Sequence, residues 1–130
     1  MKEFVLDTMA LILFLEKRKM PLKAKAIFEQ AHSGEVQIYI PPMVIAEIGY
    51  LSEKGKIELS LDNLERFLST KSNYTVYPQT FEVLKSTFQI KDIPELHDRI
   101  IAGTAKLLGA KLITNDPKIE ASKSVESLWK

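Results

Sequence analysis

The chain has no cysteine, and its two histidines and five glycines are scattered through 130 residues. Without thiols, disulfides, thiolate zinc sites and cysteine nucleophiles are excluded. His32 and His97 are too few to build a metal cage from imidazole alone. The dispersed glycines make no phosphate-cradling loop. The longest apolar run, Met9 to Leu15, falls far short of the ~20 residues a membrane helix needs. The opening MKEFVLD reads as a strand and lacks a small-residue cleavage site, so it is not a signal peptide. A soluble cytoplasmic protein with no membrane contact is expected. An excess of either charge is also missing. Eighteen basic and 17 acidic residues leave a net charge of +1, so any nucleic-acid role must rest on a local patch. No repeat, low-complexity stretch or Gly/Ser linker divides the chain, and its 45% hydrophobic content fills one core. A single domain over residues 1–130 is expected.

What is present is an alternation of short apolar runs and helical patterns. Phe4 to Leu6 reads as a buried strand. Thr8 is placed to cap a helix from Met9 to about Lys19 that stops before Pro21. A second helix spans Pro21 to Ser33, with proline at its first position and Gly34 past its end. Val36 to Ile40 is a strand, and Pro41 and Pro42 open a third helix ending near Gly55. A helix over Leu61–Ser69, a strand over Tyr74–Tyr77 and a helix from Pro78 to about Phe88 follow. Beyond the loop Lys91–Pro94 come a helix, Leu96–Leu108, closed by Gly109, then a strand, Lys111–Thr114, and an edge strand within Ser124–Trp129. This alternation predicts a parallel sheet with helices on both faces and right-handed crossovers. Ligands in such sheets bind at the carboxyl ends of the strands.

Four acidic residues fall where that fold gathers side chains. Asp7 directly follows the first strand and Asp116 follows the strand Lys111–Thr114, so both emerge on the same rim. At ~100° per residue, Glu47 borders the apolar stripe of Val44, Ile48 and Leu51, and Asp98 lies beside Ile101, Ala102 and Ala105. The small alanines leave room for another element or for an ion. Each acid also has a bland reading. Asp7 can support a helix cap, Asp116 can form an Asx turn before Pro117, and Glu47 can pair with Lys54 on the helix surface. Asp98 in a first turn favours the helix dipole by roughly 0.3–1 kcal/mol. Taken together, the four form a carboxylate set with no cationic partner, which needs a divalent metal. Oxygen-only donors suit magnesium or manganese rather than zinc.

The segments FVLDT, VIAEI, HDRIIAGTA and LITND, in this order, resemble those of the PIN-domain nucleases, in particular small toxins of the VapC type. The resemblance runs from the first strand to Asp116. Its most specific parts are HDRIIAGTA and LITND. One departure is Gly103, where alanine is commoner, and no effect on the acidic set is expected. The resemblance implies a three-layer α/β/α fold with a mostly parallel sheet of four or five strands. It implies an Mg2+- or Mn2+-dependent endoribonuclease with Asp7, Glu47, Asp98 and Asp116 as the acidic site. Asp7 and Asp98 are then the first metal ligands, Asp116 the next, and Glu47 acts partly through water. Thr8 and Thr114 match hydroxyl positions flanking the site. A cognate antitoxin that blocks the acidic rim, and a homodimer, are implied partners.

RNA binding needs local positive charge. Lys17, Arg18, Lys19, Lys23 and Lys25 form the densest basic stretch, but a solvated helix end explains it. Arg99, beside Asp98, is the better single candidate for contacting the strand. His97 falls on the apolar side of its helix and reads as a packed core histidine. Phe28, Tyr50, Leu51 and Leu59 serve a partner surface or the core. The competing function is a non-catalytic PIN-like module that binds RNA or protein, though a scaffold gains nothing from unpaired carboxylates. A phosphotransfer receiver domain lacks its expected Asp-x-Asp, since Thr8 and Met9 follow Asp7.

Overall fold

A computed structural model describes residues 1–130. Five strands form one sheet: β1 (Lys2–Leu6), β2 (Val36–Ile40), β3 (Tyr74–Val76), β4 (Lys111–Ile113) and β5 (Ser127–Leu128). All are parallel and lie in the order β3-β2-β1-β4-β5. Seven helices connect them: α1 (Thr8–Leu15), α2 (Leu22–His32), α3 (Pro42–Glu53), α4 (Leu61–Thr70), α5 (Phe81–Gln89), α6 (Leu96–Leu108) and α7 (Pro117–Glu120). Right-handed crossovers put the helices between β1 and β3 on one face and the α5–α6 pair on the other. The result is the expected three-layer α/β/α fold, with a wholly parallel sheet.

The topology itself makes the site. The chain leaves β1 to build β2 and β3 on one side, then returns to lay β4 and β5 on the other. Strand order therefore reverses between β1 and β4, and loops diverge there to open a crevice at the carboxyl ends. Leu6 pairs with Ile113 at the last rung, and the Asp7 N–H donates to the Ile113 carbonyl at 3.1 Å. Asp7 and the loop carrying Asp116 thus leave the sheet side by side.

The core is aliphatic, formed by Val5, Leu6, Ile38, Ile40, Leu112 and Ile113 of the sheet with Leu11, Ile12, Ile48 and Ile101 of the helices. Phe28 and Leu59 belong to it, which removes them from any partner surface. Ala102 and Ala105 are fully buried where α6 lies on β1 and β4, so the small residues serve close helix–sheet approach. Gly103 has a related role. A Cβ there would stand 2.3 Å from Thr87 Oγ1 and 2.7 Å from Thr87 Cα of α5. Glycine at this position is what lets α5 and α6 touch backbone to backbone.

Several boundaries differ from expectation. The first helix ends at Leu15, four residues early, because Lys17 takes a left-handed backbone (φ 55°) and turns the chain. Its N-cap is Asp7, whose Oδ1 accepts from Ala10 N at 2.8 Å, and Thr8 is the first helical residue. The fifth helix begins at Phe81, capped by the Thr80 hydroxyl rather than opened by Pro78. The last strand is two residues long. The short helix α7 was not expected.

Candidate active site

All four acids reach one pocket of about 880 Å³ above the crevice between β1 and β4. Its walls are Asp7, Thr8 and Met9 from β1–α1, Met43, Ala46, Glu47, Tyr50 and Leu51 from α3, His97, Asp98 and Ile101 from α6, and the Asn115–Asp116–Pro117 loop. No lysine or arginine lines it.

Asp7 sits at the bottom, 7% exposed. Both of its oxygens are held: Ala10 N donates to Oδ1, and the Thr114 hydroxyl donates to Oδ2. Thr114 is fully buried, and its oxygen also accepts from Asp116 N at 3.0 Å. One hydroxyl therefore fixes the spacing between the two rim carboxylates. Asp116 Oδ1 accepts from Lys118 N at 2.8 Å and caps α7, so its turn role and its place in the pocket coexist. Across the pocket, the Thr8 hydroxyl donates to Glu47 Oε1. Glu47 Oε2 lies 3.6 Å from His97 Nδ1. Lys54 is not the partner of Glu47, since its ammonium lies over the Tyr50 ring, 5.0 Å from the centroid.

Asp98 stands in the first turn of α6, half-buried. Glu95 caps that helix, accepting from Asp98 N at 2.9 Å, and its other oxygen lies 3.6 Å from His97 Nδ1. His97 is thus not a core residue. Its side chain is 52% exposed and bridges two carboxylates at the pocket rim. It lies in the first turn of α6, which lines the open pocket rather than the core. Glu95 escaped the sequence reading, though its spacing three residues before Asp98 is a helix-start signal.

The electrostatics follow from burial and crowding. Burial pushes the Asp7 carboxyl up to about 6, and the charges of Asp116 and Asp98 add to this against the opposing bonds from Thr114 and Ala10. Asp98 is also pushed to about 6, by burial first and then by Asp116, Glu95 and Glu47. Carboxylates that resist ionisation beside one another, with no cation in the walls, have the donor chemistry of a hard divalent ion. As placed, no three of the acidic and histidine side chains close on a single point. They surround the pocket rather than grip its centre.

Arg99 is not brought to the pocket. Its Nε donates to the Ile93 carbonyl at 2.7 Å and its Nη2 to the Pro94 carbonyl at 3.3 Å, which ties it to the preceding loop. Thr8 and Thr114 line or underlie the site with their hydroxyls engaged by Glu47 and Asp7.

The PIN domain family model matches residues 4–123. No curated protein matches the chain in sequence. Among solved structures, VapBC2 from Rickettsia felis bound to a promoter DNA fragment is similar with a TM-score of 0.75 at 21% identity, covering 98% of this chain and 99% of that one. DNA-bound VapBC from Salmonella typhimurium gives 0.70 at 23%, covering 98% of each chain. A toxin–antitoxin complex from Klebsiella pneumoniae gives 0.65 at 21%, covering 93% of each. With the family model spanning every residue that lines the pocket, the chain belongs to the PIN-domain family.

Proposed function

We propose that the chain is a divalent-metal-dependent endoribonuclease and the toxin of a VapBC-type toxin–antitoxin pair. The observation that carries the nuclease reading is the convergence of Asp7, Glu47, Asp98 and Asp116 on one pocket without a lysine or arginine in its walls. Asp7, Asp98 and Asp116 would hold Mg2+ or Mn2+, with Glu47 acting across the pocket. A bound ion of this kind activates water and neutralises charge on a phosphate. The chain's own residues supply the rest. Thr114 and Ala10 orient Asp7, and Thr8 fixes Glu47 so that one oxygen faces His97. His97, half in solvent between Glu47 and Glu95, is placed to carry a proton between the pocket and water. Met9, Met43 and Leu51 add an apolar stretch to the pocket lining.

The toxin reading draws on structural neighbours that are VapBC and toxin–antitoxin complexes. A cognate antitoxin and a homodimer belong to this proposal. Exposed Tyr50 beside the pocket offers such a partner an aromatic edge.

The test is cleavage of a mixed RNA pool by the purified chain, with and without EDTA, beside Asp7→Asn and Asp98→Asn variants. Cleavage that needs metal and disappears in both variants supports the reading. Equal cleavage by the variants would expose a contaminating nuclease. RNA binding without any cleavage would give the non-catalytic module instead.

A further inference from the structure

The acidic pocket poses an electrostatic problem for a polyanionic strand. Its walls hold four carboxylates and no lysine or arginine, and the nearest arginine, Arg99, is tied to backbone carbonyls. A strand engaging this pocket needs positive charge elsewhere.

A second pocket, of about 560 Å³, has the opposite character. It lies beyond the C-terminal end of α1, roughly 12 Å along that helix from Asp7 at 1.5 Å per residue. Phe14, Leu15, Met20 and Phe67 line it with Lys17, Arg18, Lys25, Lys71 and His32, and no acidic residue does. Lys17, Lys25 and Lys71 take part in none of the ion pairs of the structure. Arg18 is oriented by Glu16 at 3.2 Å, and Glu16 in turn accepts from the Glu58 and Leu59 amides, which anchors the turn. Lys71 lies 6.0 Å over the Phe67 ring, a pairing of cation and π-face. The continuous segment from the end of α1 through α2 meets the end of α4, distant in sequence, to make this surface.

An independent observation concerns Lys17. It occupies the left-handed position that ends α1, where Arg18 N returns to the Leu13 carbonyl at 2.8 Å. Glycine takes this conformation freely and a residue with a Cβ pays for it. Lysine at this position lines the pocket at the expense of stability.

We infer that this pocket is a phosphate-binding site for a nucleotide unit, with phosphate on Lys17, Lys25 and Lys71 and the base among the apolar lining of Leu15, Met20 and Phe67. Single-stranded RNA is the source the acidic pocket calls for, and that choice rests on the ribonuclease reading; a free mononucleotide shares the chemistry. Aromatic stacking and backbone cations together are the usual basis of sequence-tolerant single-strand binding.

The test uses the full chain carrying Asp98→Asn, in EDTA, so that no strand is cut. Fluorescence anisotropy measures its affinity for a labelled single-stranded RNA hexamer, and competition with AMP measures the free nucleotide. Lys17→Gly and Lys71→Gln should each weaken binding about tenfold and flatten the salt dependence by about 0.7 in log–log slope. Phe67→Leu should weaken binding with the slope unchanged. Lys17→Gly should also raise the melting temperature, which separates a functional lysine from a structural one. Loss of RNA affinity identifies a strand site, and loss of AMP affinity alone identifies a mononucleotide site. Affinities for both ligands unchanged in Lys17→Gly and Lys71→Gln overturn the inference and leave the nuclease reading intact. Weakened binding in a chain that never cuts RNA would keep the pocket and remove the nuclease.

Discussion

Asp7 concentrates the energetics of the site in one side chain. It is the N-cap of α1, the buried floor of the pocket and the partner of Thr114. With its carboxyl pushed up to about 6 in the fold, against an ordinary value of 3.8, the folded state binds the proton more tightly than the unfolded chain. Stability of the metal-free protein is therefore greatest below pH 4 as far as this group is concerned. It is lost as pH rises through about 6, by roughly 3 kcal/mol for Asp7 alone. Asp98 acts in the same direction. Denaturant titrations in EDTA at pH 4.5 and pH 7.5 should show about 2 kcal/mol of this fall for the wild-type chain and less for Asp7→Asn. The same substitution should cost RNA cleavage at least about a hundredfold. Thr114→Val tests the hydroxyl. Removing a donor that favours the ionised carboxylate raises the Asp7 value further, so the acid limb of the pH–rate profile should move to higher pH. An unmoved limb would show that Thr114 does not tune Asp7.

Among the elements, the α5–α6 contact has the least tolerance. By propensity alone, Gly103→Ala in the middle of α6 would gain up to about 1 kcal/mol. The contact with Thr87 reverses that expectation, because the clash is with backbone that cannot rotate away. A net destabilisation of about 1–3 kcal/mol is expected, read as a lower denaturation midpoint with an unchanged slope. Elements were the most legible level of the sequence, and the errors in them have local physical causes. The apolar run of α1 suggested a longer helix, but nothing in its letters shows that Lys17 takes a left-handed turn. Pro78 looked like a helix opener, yet Thr80 supplies the cap. The four residues of α7 are too few to show a period, although Asp116 before Pro117 carried its start signal.

At the scale of the whole molecule, the reversal of strand order between β1 and β4 explains why distant carboxylates meet. Asp7 and Asp116 could be placed on one rim from the sequence, because each follows an apolar strand. Glu47 and Asp98 could be placed only on the borders of helix faces, and it took the packing of α3 and α6 over the crevice to bring them in. His97 and Arg99 were assigned to opposite environments from those they occupy, since the path of the loop before α6 decides both. The basic pocket joins the α1–α2 turn to the end of α4, a proximity that no local pattern encodes. The central claim is that the acidic pocket is a divalent-cation site. Calorimetric titration of the wild-type chain with MnCl2 at pH 6, in two buffers of different ionisation enthalpy, tests it most directly. Saturable binding is expected, with a proton release at pH 6 that disappears by pH 8 while binding persists, and with binding lost in Asp98→Asn. Absence of binding by the wild-type chain, or equal binding by Asp98→Asn, would contradict it.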